Sequence, residues 1–298
     1  MSHTYTANEC HIHHLTKMPS TLTLYRLAVM PKKHHAKKAE EIPHMAVEIN
    51  SISFNAKKVA DYAELCGFQF NGKTVPITYP HILAFNLHME LMVNPSFPVP
   101  LLGLVHVRNS IRSYRSIGLN ESIDIHVSLS EARDTDKGIE FDLTTQVYSQ
   151  GERVWESVST NLYRKSQKAI KSPYQPKALK DYRFAEFWTL KENTGRKYAK
   201  VSGDSNPIHL HKWTAKAFGF KQAIIHGMWT KARTLAALQP LLKSDAICIE
   251  TEFKQPIFLP SKVGLHYDEN SDGIAFEVRN KGNDKVHMKG RVSCISSI

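Results

Sequence analysis

The sequence predicts an α+β fold in which an antiparallel sheet wraps around one central helix, and does so twice along the chain. Two observations carry this. Short segments recur: Tyr62-Ala-Glu-Leu-Cys-Gly-Phe68 aligns with Tyr198-Ala-Lys-Val-Ser-Gly-Asp204, and Gly138-Ile-Glu-Phe-Asp-Leu143 with Gly273-Ile-Ala-Phe-Glu-Val278. The order of elements recurs as well. Each half runs from a short helical piece to a longer helix and then to a set of strands.

Residues 1–45 read as an N-terminal extension, polar and histidine-rich, which does not fit a secretory signal. Cys10, His11, His13 and His14 offer weak metal donors, but a mobile polar tail is the preferred reading and no metal is expected. Residues 20–30 dock on the core as a short helix or strand. In the first half the long helix spans about 81–93, with strands near 102–114, 121–133, 138–149 and 153–163. Residues 166–182 hold Pro173, Pro176 and several lysines with few large apolar side chains, and read as a basic linker. In the second half the long helix spans about 227–239, with strands near 246–256, 262–269, 273–281 and 285–295. Alternation such as Ile123, Ile125, Val127 and Leu129 predicts strands with one covered face. Gly138, Gly151, Gly273 and Gly282 stand where hairpins must turn. The arrangement is a double hot-dog: two antiparallel sheets, each wrapped around a central helix, forming a pseudo-dimer. The repeats are 46–165 and 183–298.

Composition limits the function classes. With 298 residues and 42% hydrophobic side chains the chain can bury a proper core. Its four cysteines are scattered without a Cys-x-x-Cys pair, which suggests a reducing, cytoplasmic setting and no zinc site. No apolar run is long enough to span a membrane. The net charge of +11 attracts anions in general, much of it from lysines at 32–38 and 165–180 that read as solvated segments. Basic and aromatic residues do not alternate as on a nucleic-acid platform, so no nucleic-acid partner is expected.

The chemistry concentrates in Tyr198–His209 and Ile225-His-Gly-Met228. Asn206 is a good N-cap and Pro207 a good first helical residue, so a helix from there to Gly219 carries His209 in its first turn. Asp204 lies in the loop just before, and the two side chains converge on one pocket. The positive end of a helix disfavours protonation of His209. A neutral imidazole accepts or relays a proton, and a nearby aspartate serves as general base. Gly227, opening a second helix, presents a backbone N–H to a developing oxyanion. Asp-x-Asn-Pro alone is a common turn, and a lone first-turn histidine is unremarkable. Joined to Ser202-Gly203 and the later His-Gly-Met, the pattern becomes specific. Met228, Ala232, Leu235 and Ala236 form an apolar helix face. Trp213 and Trp229 read as packing residues, and Tyr198 as an anchor for the helix before the motif.

This pattern resembles the MaoC-like dehydratases and (R)-specific enoyl-CoA hydratases (hydratase 2), whose motif runs Tyr-Ala, two variable residues, Ser-Gly-Asp, one variable, Asn-Pro, Ile or Leu, His. Here it stands as Tyr198-Ala199, Ser202-Gly203-Asp204, Asn206-Pro207, Ile208-His209. The resemblance implies reversible hydration of trans-2-enoyl thioesters to (R)-3-hydroxyacyl thioesters, without a cofactor, on coenzyme A or acyl carrier protein thioesters. It implies Asp204, His209 and Gly227 as catalytic residues, with Ser202, Asn206, His226 and Met228 around the substrate. His226 has a second reading, as support for the loop. Pairing of two chains into a homodimer of pseudo-dimers is compatible with the fold. The competing functions are a hot-dog thioesterase and a non-catalytic acyl-thioester-binding protein.

The first half reads as degenerate. Phe68 takes the place of Asp204, Pro80 that of Gly227, and the histidine-bearing helix is missing. Its expected role is to pair with the second half and shape an acyl tunnel.

Overall fold

The computed structural model describes residues 11–32, 35–164 and 179–295. Most of the basic linker and Cys10 lie outside them. The elements are β1 (His11–Leu15), α1 (Thr21–Ala28), β2 (Met45–Ser53), α2 (Ala56–Cys66), α3 (Tyr79–Val93), β3 (Val105–Ser113), β4 (Ser122–Thr135), β5 (Gly138–Ser149) and β6 (Glu152–Arg164). The second half adds β7 (Phe184–Leu190), α4 (Thr194–Ser202), α5 (Lys212–Ala217), α6 (Gly227–Leu238), β8 (Ile247–Phe253), β9 (Ser261–Asn270), β10 (Gly273–Asn280) and β11 (Val286–Cys294). Among the described residues no helix is long and apolar enough to cross a membrane.

The double hot-dog expectation holds, with the two sheets fused into one. The strands run β1-β2-β4-β5-β6-β3-β8-β11-β10-β9-β7 among the described residues. Read outward from the middle, β3-β6-β5-β4-β2 repeats as β8-β11-β10-β9-β7. The seam is the antiparallel pair β3–β8, in register from Arg108 opposite Glu252 to Ser113 opposite Ile247. Ile123, Ile125, Val127 and Leu129 all point inward and are buried, as the period-2 pattern requires. β2 and β7, which open the two repeats, were not expected.

The repeat alignment is visible in the caps. Helices α2 and α4 both end on a left-handed glycine, Gly67 at φ 81° and Gly203 at φ 79°, a conformation that costs glycine nothing. The two helices pack on each other, with Tyr62 and Tyr198 rings 6.2 Å apart. The entry loops match too. Val75 N–H bonds the Ile117 carbonyl as Ile225 N–H bonds that of Ile257, and Leu119 bonds Lys73 as Leu259 bonds Ala223. That register sets Ile77 opposite Gly227, which corrects the expected place of Pro80. Pro80 lies in the first turn of α3, where an N–H is not needed.

Helix α3 has apolar side chains all round its axis, so more than one side must be covered. Ala84, Leu87 and Leu91 join the main core, while Met89 and Val93 face Leu24 and Ala28 of α1. The N-terminal extension is therefore no free tail over its described part. β1 pairs in parallel with β2, and α1 docks on α3. Helix α6 sits beneath the seam. Its Lys231 is fully buried, and Nζ donates to the Asn109 carbonyl (3.0 Å), to Asn109 Oδ1 (2.5 Å) and to the Ile249 carbonyl (3.2 Å). Burial pushes this amine well below its ordinary pKa.

Candidate active site

Between α4 and α6 the chain does not form the single helix expected over 206–219. Asn206 caps a 3-10 turn, Pro207–His209; the backbone then extends at His211, and α5 follows. Side chains hold the carbonyls that a continuous helix would use. Arg196 Nη1 donates to Leu210 O (2.9 Å), and Thr214 Oγ1 to Pro207 O (2.6 Å) and His211 O (2.9 Å). His209 remains the third residue of its turn. Trp213, expected to pack, is instead 77% exposed, with Lys216 over its ring. Trp229 is buried.

The loop holding Asp204 is tied at several points. Its N–H donates to Ser202 Oγ (3.2 Å), and its Oδ1 accepts from Asn206 N–H (3.1 Å). Asn206 Oδ1 accepts in turn from Ile208 N–H (3.4 Å). His226 Nε2–H donates to the Asp204 backbone carbonyl at 2.9 Å. That bond fixes the His226 tautomer and makes the residue a support of the loop. His226 also stacks on His209 with ring centroids 3.7 Å apart, and lies 4.8 Å from the Tyr198 ring. Tyr198 is buried against it, in the anchoring role expected.

His209 is oriented from behind. Its Nδ1–H donates to the Ile224 carbonyl at 2.8 Å, which leaves Nε2 as the unprotonated nitrogen. Burial lowers the pKa of His209, against the pull of the Asp204 carboxylate and the Ile224 carbonyl. Burial pushes Asp204 up, but the neighbouring His226 and His209, the Asn206 N–H and a tyrosine hydroxyl outweigh it and hold the carboxyl below its usual range. His226 is pushed down to about 3, by burial first and by His209 second. At neutral pH the site is thus a carboxylate beside two neutral imidazoles.

One nitrogen of each histidine and one carboxylate oxygen of Asp204 lie within 4.8 Å of one another, which makes them a formal set of metal donors. His226 Nε2 carries the proton it gives to a backbone carbonyl, so that nitrogen is not a metal donor.

Gly227 is the first residue of α6, so its N–H has no intrahelical carbonyl to meet. A Cβ there would stand 2.9 Å from the Phe253 ring. The absence of a side chain keeps the helix end open at that point.

All seven residues expected from sequence line one cavity of about 510 Å3: Asp204, His209, Gly227, Ser202, Asn206, His226 and Met228. Met228 is also a buried core residue. The first repeat supplies about half of the remaining lining, including Ile82, Phe85, Met89, Leu104 and Leu143. In place of an acid, Phe68 stacks at 6.5 Å on Tyr62. Among the described residues no helix stands between α2 and α3.

Two groups of lining residues escaped the sequence reading. Tyr25, from α1, reaches Asp204 across 179 positions, and no local pattern announces such a contact. His81, His88 and His106 are partly or fully buried on α3 and β3, with His88 Nε2 at 2.7 Å from Thr145 Oγ1. For His81 and His88, two histidines in a largely apolar helix were the available signal.

Comparison with known proteins follows this geometry. Residues 174–289 match the family model described as a MaoC like domain. A curated relative, 3-hydroxyacyl-thioester dehydratase X of Mycobacterium tuberculosis, is 30% identical over 257 residues, covering 86% of this chain and 91% of its own. Peroxisomal enoyl-CoA hydratase 2 of Arabidopsis thaliana is 25% identical over 173 residues, 53% of this chain and 56% of its own. The crystal structure of HtdX of M. tuberculosis superposes with a TM-score of 0.73 at 30% identity, covering 84% of this chain and 100% of that one.

Proposed function

The chain belongs to the MaoC-like dehydratase family, and from that premise we propose that it reversibly hydrates trans-2-enoyl thioesters to (R)-3-hydroxyacyl thioesters. It is an enzyme of the hydro-lyase type. The single observation that carries the reading is one cavity that holds two proton acceptors, Asp204 and His209, together with apolar side chains such as Ile82, Met89 and Leu104.

The chemistry follows from the protonation states. Asp204 and unprotonated Nε2 of His209 both accept, so together they can hold one water by its two hydrogens. The water oxygen forms its bond to C3 of the enoyl thioester and gives one proton to the pair. The electrons of the C2–C3 double bond move toward the thioester carbonyl, whose growing negative charge the Gly227 N–H stabilises. The pair then returns a proton to C2. Dehydration is the same path reversed. Donors aimed at developing charge contribute on the order of 10²–10³ in rate. His226 supports the Asp204 loop, and Ser202 and Asn206 hold its shape.

In this reading the second repeat, 183–298, performs the reaction, and the first, 46–165, contributes side chains to the cavity wall. Coenzyme A and acyl carrier protein thioesters are the two candidate substrates. A rate that falls sharply with salt on carrier-protein substrate alone identifies the protein carrier.

The test is loss of the enoyl-thioester absorbance on adding crotonyl-CoA and trans-2-decenoyl-CoA. We expect loss with the wild type and none with Asp204→Asn, and faster turnover of the longer chain. Release of free thiol would reveal a thioesterase and overturn the reading, as would full activity of Asp204→Asn.

A further inference from the structure

The reacting pair comes from the second repeat, yet a third polar group reaches it from outside both repeats. Tyr25 OH donates to Asp204 Oδ1 at 3.1 Å. The same oxygen already accepts the Asn206 N–H. Oδ1 is thereby held by two donors, and these two bonds leave Oδ2 as the oxygen that can meet water.

The segment carrying Tyr25 is fastened at both ends. Asn86 of α3 clamps its start: Nδ2 donates to Pro19 O (2.9 Å) and Thr21 Oγ1 (3.1 Å). Lys32 clamps its end, with Nζ donating to Met92 O (3.1 Å) and Asn94 O (2.9 Å) at the last turn of α3. Between the clamps, Leu24 and Ala28 pack on Met89 and Val93, and Tyr25 and Phe85 both pack against that cluster. Those contacts fix the helix without the Tyr25 hydroxyl. Its hydroxyl meets the Asp204 carboxylate and the Ser205 backbone of the same loop, and its ring lines the reaction cavity.

We propose that Tyr25 is a positioning residue for Asp204, and that the docked N-terminal helix completes the active site by fixing which carboxylate oxygen faces water. This rests on the hydratase reading above. Burial and the adjacent Asp204 carboxylate raise the Tyr25 hydroxyl far above its ordinary pKa, so it stays a donor throughout the working range. Its bond helps hold Asp204 low. Losing it raises the carboxyl pKa and moves the acid limb of the rate profile to higher pH.

The decisive variant is Tyr25→Phe, which keeps the ring and the helix packing and removes only the hydroxyl. A hydrogen bond to a charged group predicts a fall in kcat of about tenfold, with KM nearly unchanged. The acid limb of kcat moves upward in pH. A merely structural role would lower the melting temperature and leave that limb in place. NMR of the labelled Asp204 carboxyl reads the same bond without substrate, so it separates the two inferences. Wild-type inactivity on enoyl thioesters would sink the hydratase reading, while the NMR titration would still report the bond. An Asp204 titration and an acid limb that are the same in Tyr25→Phe and wild type overturn the positioning role, even where hydration is confirmed.

Discussion

Lowering the pH from 7 to 5 should destabilise this protein progressively, through histidines buried in their neutral form. His88 and His226 are 4% and 2% exposed. Burial pushes both down to about 3, with His106 adding to His88 and His209 to His226. In the unfolded chain each titrates near 6.5. The unfolded state therefore binds more protons as the pH falls below about 6.5, and stability drops with it. At pH 5 the loss is about 2 kcal/mol for each, or about 4 kcal/mol for the two. His81 and His106 shift the same way, His106 to about 4, again chiefly through burial. Such a loss is a large share of an ordinary folding stability of about 5–15 kcal/mol. Glu121, held down to about 2 chiefly by its hydrogen bond with Arg115, stays ionised across this window. Melting curves at constant ionic strength should fall by about 8 °C or more between pH 7 and pH 5. His88→Gln should remove a substantial part of the slope. A flat profile, or an NMR titration of His88 near 6.5, would refute the reasoning.

Three further outcomes follow from particular contacts. Gly227→Ala sets a methyl against the Phe253 ring at the helix end; kcat should fall by about 10²-fold, and Phe253→Leu in the same background should restore part of it. Lys231→Met strands Asn109 Oδ1 and two buried carbonyls under the seam; chemical denaturation should show a loss of about 2–4 kcal/mol, and an unchanged midpoint would argue that water replaces the amine. Enoyl-thioester hydration should persist at pH 6 in short assays, because the neutral form of His209 survives below its ordinary titration; a kcat halved near pH 6.5 would contradict the neutral-imidazole assignment.

The central helices and the eight strands after them were legible because their signals are local. Apolar continuity marks α3, and period-2 alternation marks β4. The opening strands were not. β7 is an edge strand with Phe184 and Phe187 exposed, so its pattern does not separate an inside from an outside. Asp204, His209 and Gly227 could be found together because 24 residues contain them and each brings a cap or a turn. Where the chain breaks after His209 could not, since Arg196 and Thr214 decide it through side-chain bonds. The reach of Tyr25 depends on how α1 crosses α3, which is a property of packing and not of any window of sequence.

The seam between β3 and β8 has a consequence for how such a chain can change. In a dimer of identical subunits each substitution is made twice, once beside each reaction centre. Here the partner of the reacting half is encoded separately. A change in α3 alters the wall of the cavity and leaves the helix bearing Gly227 untouched. Phe68 could stand where an acid would be because the other copy kept its own. The fused sheet thus releases one repeat from the demands of proton transfer, and fit to the acyl chain can drift while the chemistry stays fixed.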